Sequence, residues 1–156
     1  MSKANNPYKV LRAAHRRMER AAENERKTGE RTREFFNADT RTHCQLGAIN
    51  GEHRKSFLLS DRNVAARLEA HEIIKQVYYD MLMDLPDDDP RLATPSHELH
   101  VGSPRREILR LREGLTCQVS IPKMHDHFWT SDELLHASKL ALMRAEDLVA
   151  EQQSTI

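Results

Sequence analysis

Long apolar runs, glycine, cysteine and aromatic residues are all scarce in this sequence, and each scarcity removes a class of protein. No stretch approaches the roughly 18 apolar residues of a membrane-spanning helix, so no membrane partner is expected. Two cysteines in 156 residues, Cys44 and Cys117, cannot build a disulfide framework. The opening Met1-Ser2-Lys3-Ala4-Asn5-Asn6 lacks the apolar core of a signal peptide, so the expected location is the cytoplasm, or a particle assembled there, and not outside the cell. Five glycines leave little material for a backbone phosphate cradle. The Walker, dinucleotide-binding and Gly-x-Ser-x-Gly patterns are all missing, and no cofactor is expected. Net charge is missing too, with 24 Lys/Arg against 24 Asp/Glu.

What the chain does have is charge, unevenly spread. Residues 1–60 hold thirteen Lys/Arg and seven Asp/Glu, a balance of +6, and residues 61–156 hold eleven and seventeen, a balance of −6. Such a division fits head-to-tail self-association or a basic end facing an anionic partner. Leu, Ile, Val and Phe number 33, about a fifth of the chain, just above the range in which disorder is the default. One folded but thinly cored domain is expected.

Asn6 is a good N-cap and Pro7 suits the first helical position. A stripe at Tyr8, Leu11, Ala14, Met18, Ala21 and Ala22 then predicts a helix, and the charge-rich sequence prolongs it to Asn37. The stripe stops at Ala22, and residues 23–34 contain no apolar side chain. The expectation is an N-terminal arm (1–37) too poor in apolar surface to be held by its own fold, attached to a small α+β body (38–156). In that body, Asn50-Gly51 between 42–49 and 52–59 reads as the turn of a β-hairpin. The clean alternation of Leu115, Cys117, Val119 and Ile121 reads as a third strand. Ser60 or Asp61 opens a helix to about Leu85, with a stripe at Val64, Leu68, His71, Ile74, Tyr78, Met81 and Leu85, widened by Ala70, Ile73 and Val77. Residues 86–103 read as a loop and 104–111 as a short helix. Thr130 and Glu133 form a capping box that opens the last helix. The predicted fold class is therefore α+β, predominantly α, with a long N-terminal helix, two further helices, a short one and a small antiparallel sheet.

Function is read from surface chemistry. Arg12, Arg16 and Arg20 fall on one face of the first helix at i, i+4, i+8. With Arg31, and anchored by Leu11 and Met18, they are the expected partner-binding residues. The expected function is a non-enzymatic structural or interaction protein acting within a larger assembly, such as a phage particle, with a protein partner or further copies of itself. Nucleic-acid binding by the same ridge is the alternative, weakened by interleaved glutamates and by the lack of an aromatic stacking platform. A His-rich metal-dependent hydrolase is the second alternative. Its candidate ligands are His97, His100, His125 and His127, whose spacing matches no strong zinc signature.

Overall fold

In the computed structural model the Asn6 side chain accepts a hydrogen bond from the Lys9 backbone N–H at 2.9 Å, and Pro7 occupies the first turn. Helix α1 (Pro7–Thr28) thus begins where the sequence places it. The structure describes residues 6–34, 36–51, 61–86, 88–90, 121, 125 and 128–154, with backbone alone at 61–63 and 153–154.

The predicted continuation of α1 to Asn37 is corrected. Gly29 adopts φ 76°, and its N–H bonds the Glu25 carbonyl at 2.7 Å, closing the helix. Glycine reaches this left-handed conformation without steric cost, and the turn before it has no apolar side chain to hold it to the core.

The expected free-standing arm is corrected as well. Val10, Leu11, Ala14, Met18, Ala21 and Ala22 are all buried. Their cover is α4 (Ser131–Ser154), with α2 (Gln45–Asn50) and α3 (Asp61–Asp84) completing it. The apparent poverty of the α1 stripe is matched across the interface: α4 presents Ala137, Ser138, Ala141 and Ala145, all fully buried. Small side chains on both helices let the backbones approach, so little apolar volume fills the gap. His15 Nδ1 bonds Ser138 Oγ across this seam at 3.0 Å, and Ser138 in turn donates to the Leu135 carbonyl at 2.8 Å.

The predicted antiparallel sheet is overturned. Among the described residues the structure is helical, with no strand and a single bridge between Asn37 and Thr42. Residues 45–50 form α2, and Asn50-Gly51 is its C-terminus. Gly51 takes φ 72°, ψ 32°, and donates to the Gly47 carbonyl at 2.8 Å. A left-handed glycine serves a helix end as well as a hairpin turn, so Asn-Gly alone does not separate them. The spacing within the segment does: Cys44 and Ala48, and Gln45 and Ile49, are i, i+4 pairs with every member buried. The Cys44 sulfur caps the helix by accepting from the Gly47 N–H. The partner strand 52–59 and residues 115–120 lie outside the described residues, and Ile121 is helical. The short helix 104–111 and most of the 86–103 loop lie outside them too.

The core is completed by α3 through Ala66, Ala70, Ile74, Val77, Tyr78 and Leu82, with Trp129 stacked near Tyr78 at 6.3 Å between ring centroids. Ala70, Ile74, Val77 and Tyr78 of the predicted stripe are in this face, which takes Ala66 and Leu82 in addition and leaves Leu68 58% exposed. The capping box of α4 forms as written: Thr130 N–H donates to Glu133 Oε1 at 2.8 Å, and Glu133 N–H to Thr130 Oγ1 at 3.2 Å.

Candidate functional site

The nominated residues separate into three groups. Leu11 and Met18 are core residues and present nothing to a partner. Arg12, Arg16 and Arg20 stand exposed on the outer face of α1. Arg12 lies over the Tyr8 ring, 5.4 Å from its centroid, a cation–π contact that steadies one end of the ridge. Among the described residues Arg16 and Arg20 have no ion-pair partner.

Arg31 is a clasp instead of a docking residue. Its Nε donates to Glu25 Oε1 at 2.8 Å and its Nη2 to Glu25 Oε2 at 3.2 Å, a fork on a carboxylate. Its Nη1 donates to the His125 carbonyl at 2.6 Å and the Trp129 carbonyl at 2.7 Å. Arg31 is 16% exposed and Glu25 23%. Five donors in a planar fork let one side chain join the end of α1 to the segment that enters α4, which a lysine cannot do.

His125 uses both ring nitrogens. Nε2 donates to the Thr32 carbonyl at 2.8 Å, so Nδ1 is the acceptor for the Gln45 N–H at 3.3 Å. With neither nitrogen free, His125 is not placed to ligate a metal. His97, His100 and His127 lie outside the described residues. Among the described residues no group of three or more His, Cys, Asp or Glu side chains is gathered to hold an ion.

Two concave features remain. A groove of about 410 Å³ runs between α3 and α4. Glu72, Asp147 and Glu151 rim it, and Ile73 and Leu148 give it an apolar floor. Leu148 is 41% exposed there. Arg144 also lines it and is engaged with Asp80.

The second feature, about 240 Å³, is a corner where α1, the end of α2 and α3 meet, lined by Lys9, Ala13, Arg17, Asn50, Gly51 and Arg67 among others. Arg17 Nη1 donates to the Ala48 carbonyl at 2.8 Å, capping the open end of α2. Burial, followed by repulsion from Arg20 and Arg67, lowers the Arg17 pKa from its usual value. Arg67 Nη1 is buried with no hydrogen-bond partner. His71 Nε2 donates to Asn50 Oδ1 at 3.0 Å. Burial, then the Lys75 and Arg67 charges, lower the His71 pKa, with Glu72 opposing. Lys9, Ala13 and Arg17 share one helix face in sequence, but nothing local announces Arg67, fifty residues away. The corner therefore has no signature readable along the chain.

No protein-family model, curated protein or solved structure matches this chain. Among the described residues no helix is long and apolar enough to cross a membrane.

Proposed function

We propose that the protein is a non-enzymatic building block of a larger assembly. Its contact is the Arg12–Arg16–Arg20 ridge of one copy seated on the acidic α3/α4 groove of the next. The observation that carries this reading is the complementarity of two exposed surfaces. Arg16 and Arg20 are one helical turn apart on α1, about 6 Å along the axis, and so are Asp147 and Glu151 on α4. The ridge has no described carboxylate partner of its own, and the groove gathers Asp147 and Glu151 with Glu72, which also pairs with Lys75, beside Ile73 and Leu148. The two surfaces differ, so the contact is heterologous and generates a ring or a filament instead of a closed two-fold dimer. Such an arrangement suits a particle component.

The experiment is a charge swap followed by mass measurement in solution. Arg16→Glu with Arg20→Glu should reduce the assembly, and so should Asp147→Arg with Glu151→Arg. Mixing the two variants should restore both contacts, the reversed ridge on the reversed groove and the native ridge on the native groove, giving an alternating assembly. High salt should weaken the wild-type assembly, since its charges are solvent-exposed before contact. A strictly monomeric wild type at every concentration and salt level overturns the proposal.

A further inference from the structure

We infer that the corner between α1, the C-terminal end of α2 and α3 is a binding site for a phosphate-class oxyanion, held by Arg67, Arg17 and Lys9. This goes beyond the assembly contact, because Lys9, Arg17 and Arg67 are not part of the proposed ridge.

Among the described residues the corner differs from the paired cations by lacking a carboxylate, and from the exposed ridge by being concave and holding a buried guanidinium nitrogen. Lys27, Arg31 and Lys75 each have a carboxylate within 3.4 Å, Arg26 faces Asp132 at 3.8 Å, and Arg144 is engaged with Asp80. Among the described residues the Lys9 and Arg67 side chains have no carboxylate partner, and Arg17 has only the Ala48 carbonyl. No carboxylate is found among the described lining residues.

Three cations sharing a concavity repel one another. A buried guanidinium nitrogen without an acceptor adds the loss of its hydration. A fold that needed only a cap on α2 has that cap in Arg17 alone. Arg67 adds repulsion and an orphan donor, and gains nothing from the described protein around it. An oxyanion supplies what is missing: negative charge, and acceptors for Arg67 Nη1 and for the Arg17 nitrogens not used on Ala48.

The donors extend beyond the charges. Asn50 lines the corner, and its Oδ1 is held by His71, which leaves its amide N–H groups as neutral donors. Gly51 lies beside the Arg17 guanidinium, where a Cβ would make ordinary contact at 3.5 Å with both terminal nitrogens. About 240 Å³ admits a phosphate with space for a substituent. No acid, base or nucleophile among the described lining residues is placed to act on it, so the site binds and does not turn over.

The test uses the full chain titrated with inorganic phosphate against sodium chloride at matched ionic strength. The readouts are melting temperature and the amide signals of Asn50 and Gly51. Phosphate should give a saturable rise in melting temperature and shift both amides, and chloride should do neither. Arg67→Met should abolish both responses, and Arg67→Lys should keep part of them. A purely structural arginine is distinguished by the ligand-free state: Arg67→Met should melt higher than wild type without phosphate and lower than wild type at saturating phosphate. The assembly mass of Arg67→Met should match wild type, which separates failure of this site from failure of the docking contact. A phosphate response no greater than that of chloride, or one that survives Arg67→Met, overturns the inference. So does an Arg67→Met variant that melts lower than wild type without phosphate. A short DNA duplex forms a further arm: Arg67-dependent duplex binding with no response to inorganic phosphate overturns the free-anion site and assigns the charges to a nucleic-acid backbone.

Discussion

The face of α1 that carries Leu11, Ala14, Met18 and Ala21 and the face that carries Lys9, Ala13 and Arg17 belong to one helix and meet opposite surroundings. The first is sealed by the alanines of α4, with His15 and Ser138 satisfying each other across the seam. The second opens on a polar corner in which a buried guanidinium nitrogen has no acceptor. The contrast teaches that the α1/α4 seam is the stabilising half of this helix and the α1/α2/α3 corner is the half with capacity to spare for a ligand.

That contrast can be broken most forcefully at the clasp that ends the sealed half. Arg31→Ala removes both forks at once and leaves the mostly buried Glu25 carboxylate unpaired, which should cost on the order of 3 kcal/mol. Urea denaturation would measure it, and Arg31→Lys should recover only a minor part. A loss as small as that of an exposed ion pair would mean that the clasp does not hold α1 to the α4 entry. Next in size, Ala141→Leu forces a larger side chain into the fully buried seam and should cost about 2 kcal/mol by overpacking. The same readout showing no loss would remove the claim of close helix approach.

The smallest effect sharpens the other half. The His71 pKa is lowered in the fold, so the unfolded chain, titrating near pH 6.5, binds the proton more readily. His71 therefore contributes stability that is complete above about pH 6.5 and is lost as pH falls toward its folded value. Melting curves should show stability declining on acidification, less steeply in His71→Gln, which keeps a donor for Asn50. An unchanged slope would mean that burial, with the neighbouring Lys75 and Arg67 charges, does not hold the His71 pKa down.

Helix starts were readable in the sequence because they are local. Asn6-Pro7 and the Thr130/Glu133 box each satisfy their own N–H groups within one turn, and both form as written. Ends and faces were less readable. Gly29 registers along the chain as a weak point within a helix, yet in the fold its left-handed conformation makes it the terminator. Asn50-Gly51 fits a hairpin and a helix cap equally until the helical spacing of Cys44, Gln45, Ala48 and Ile49 is weighed. The adequacy of the α1 stripe was hidden because it depends on the small residues of α4, more than a hundred positions away. The candidate sites divide the same way. The ridge at Arg12, Arg16 and Arg20 follows from helical period alone, whereas the roles of Arg31 and Arg67 exist only after distant segments meet.

The bond between His15 and Ser138 spans 123 residues, and Arg31 reaches 98 residues ahead to Trp129. A chain emerging from the ribosome therefore delivers its first helix long before the helix that covers it. Until the segment that carries α4 has been made, Leu11, Ala14 and Met18 face solvent or a chaperone. Despite its helical character this molecule should fold more slowly than a bundle of sequence-adjacent helices, because its α1/α4 contacts are long-range.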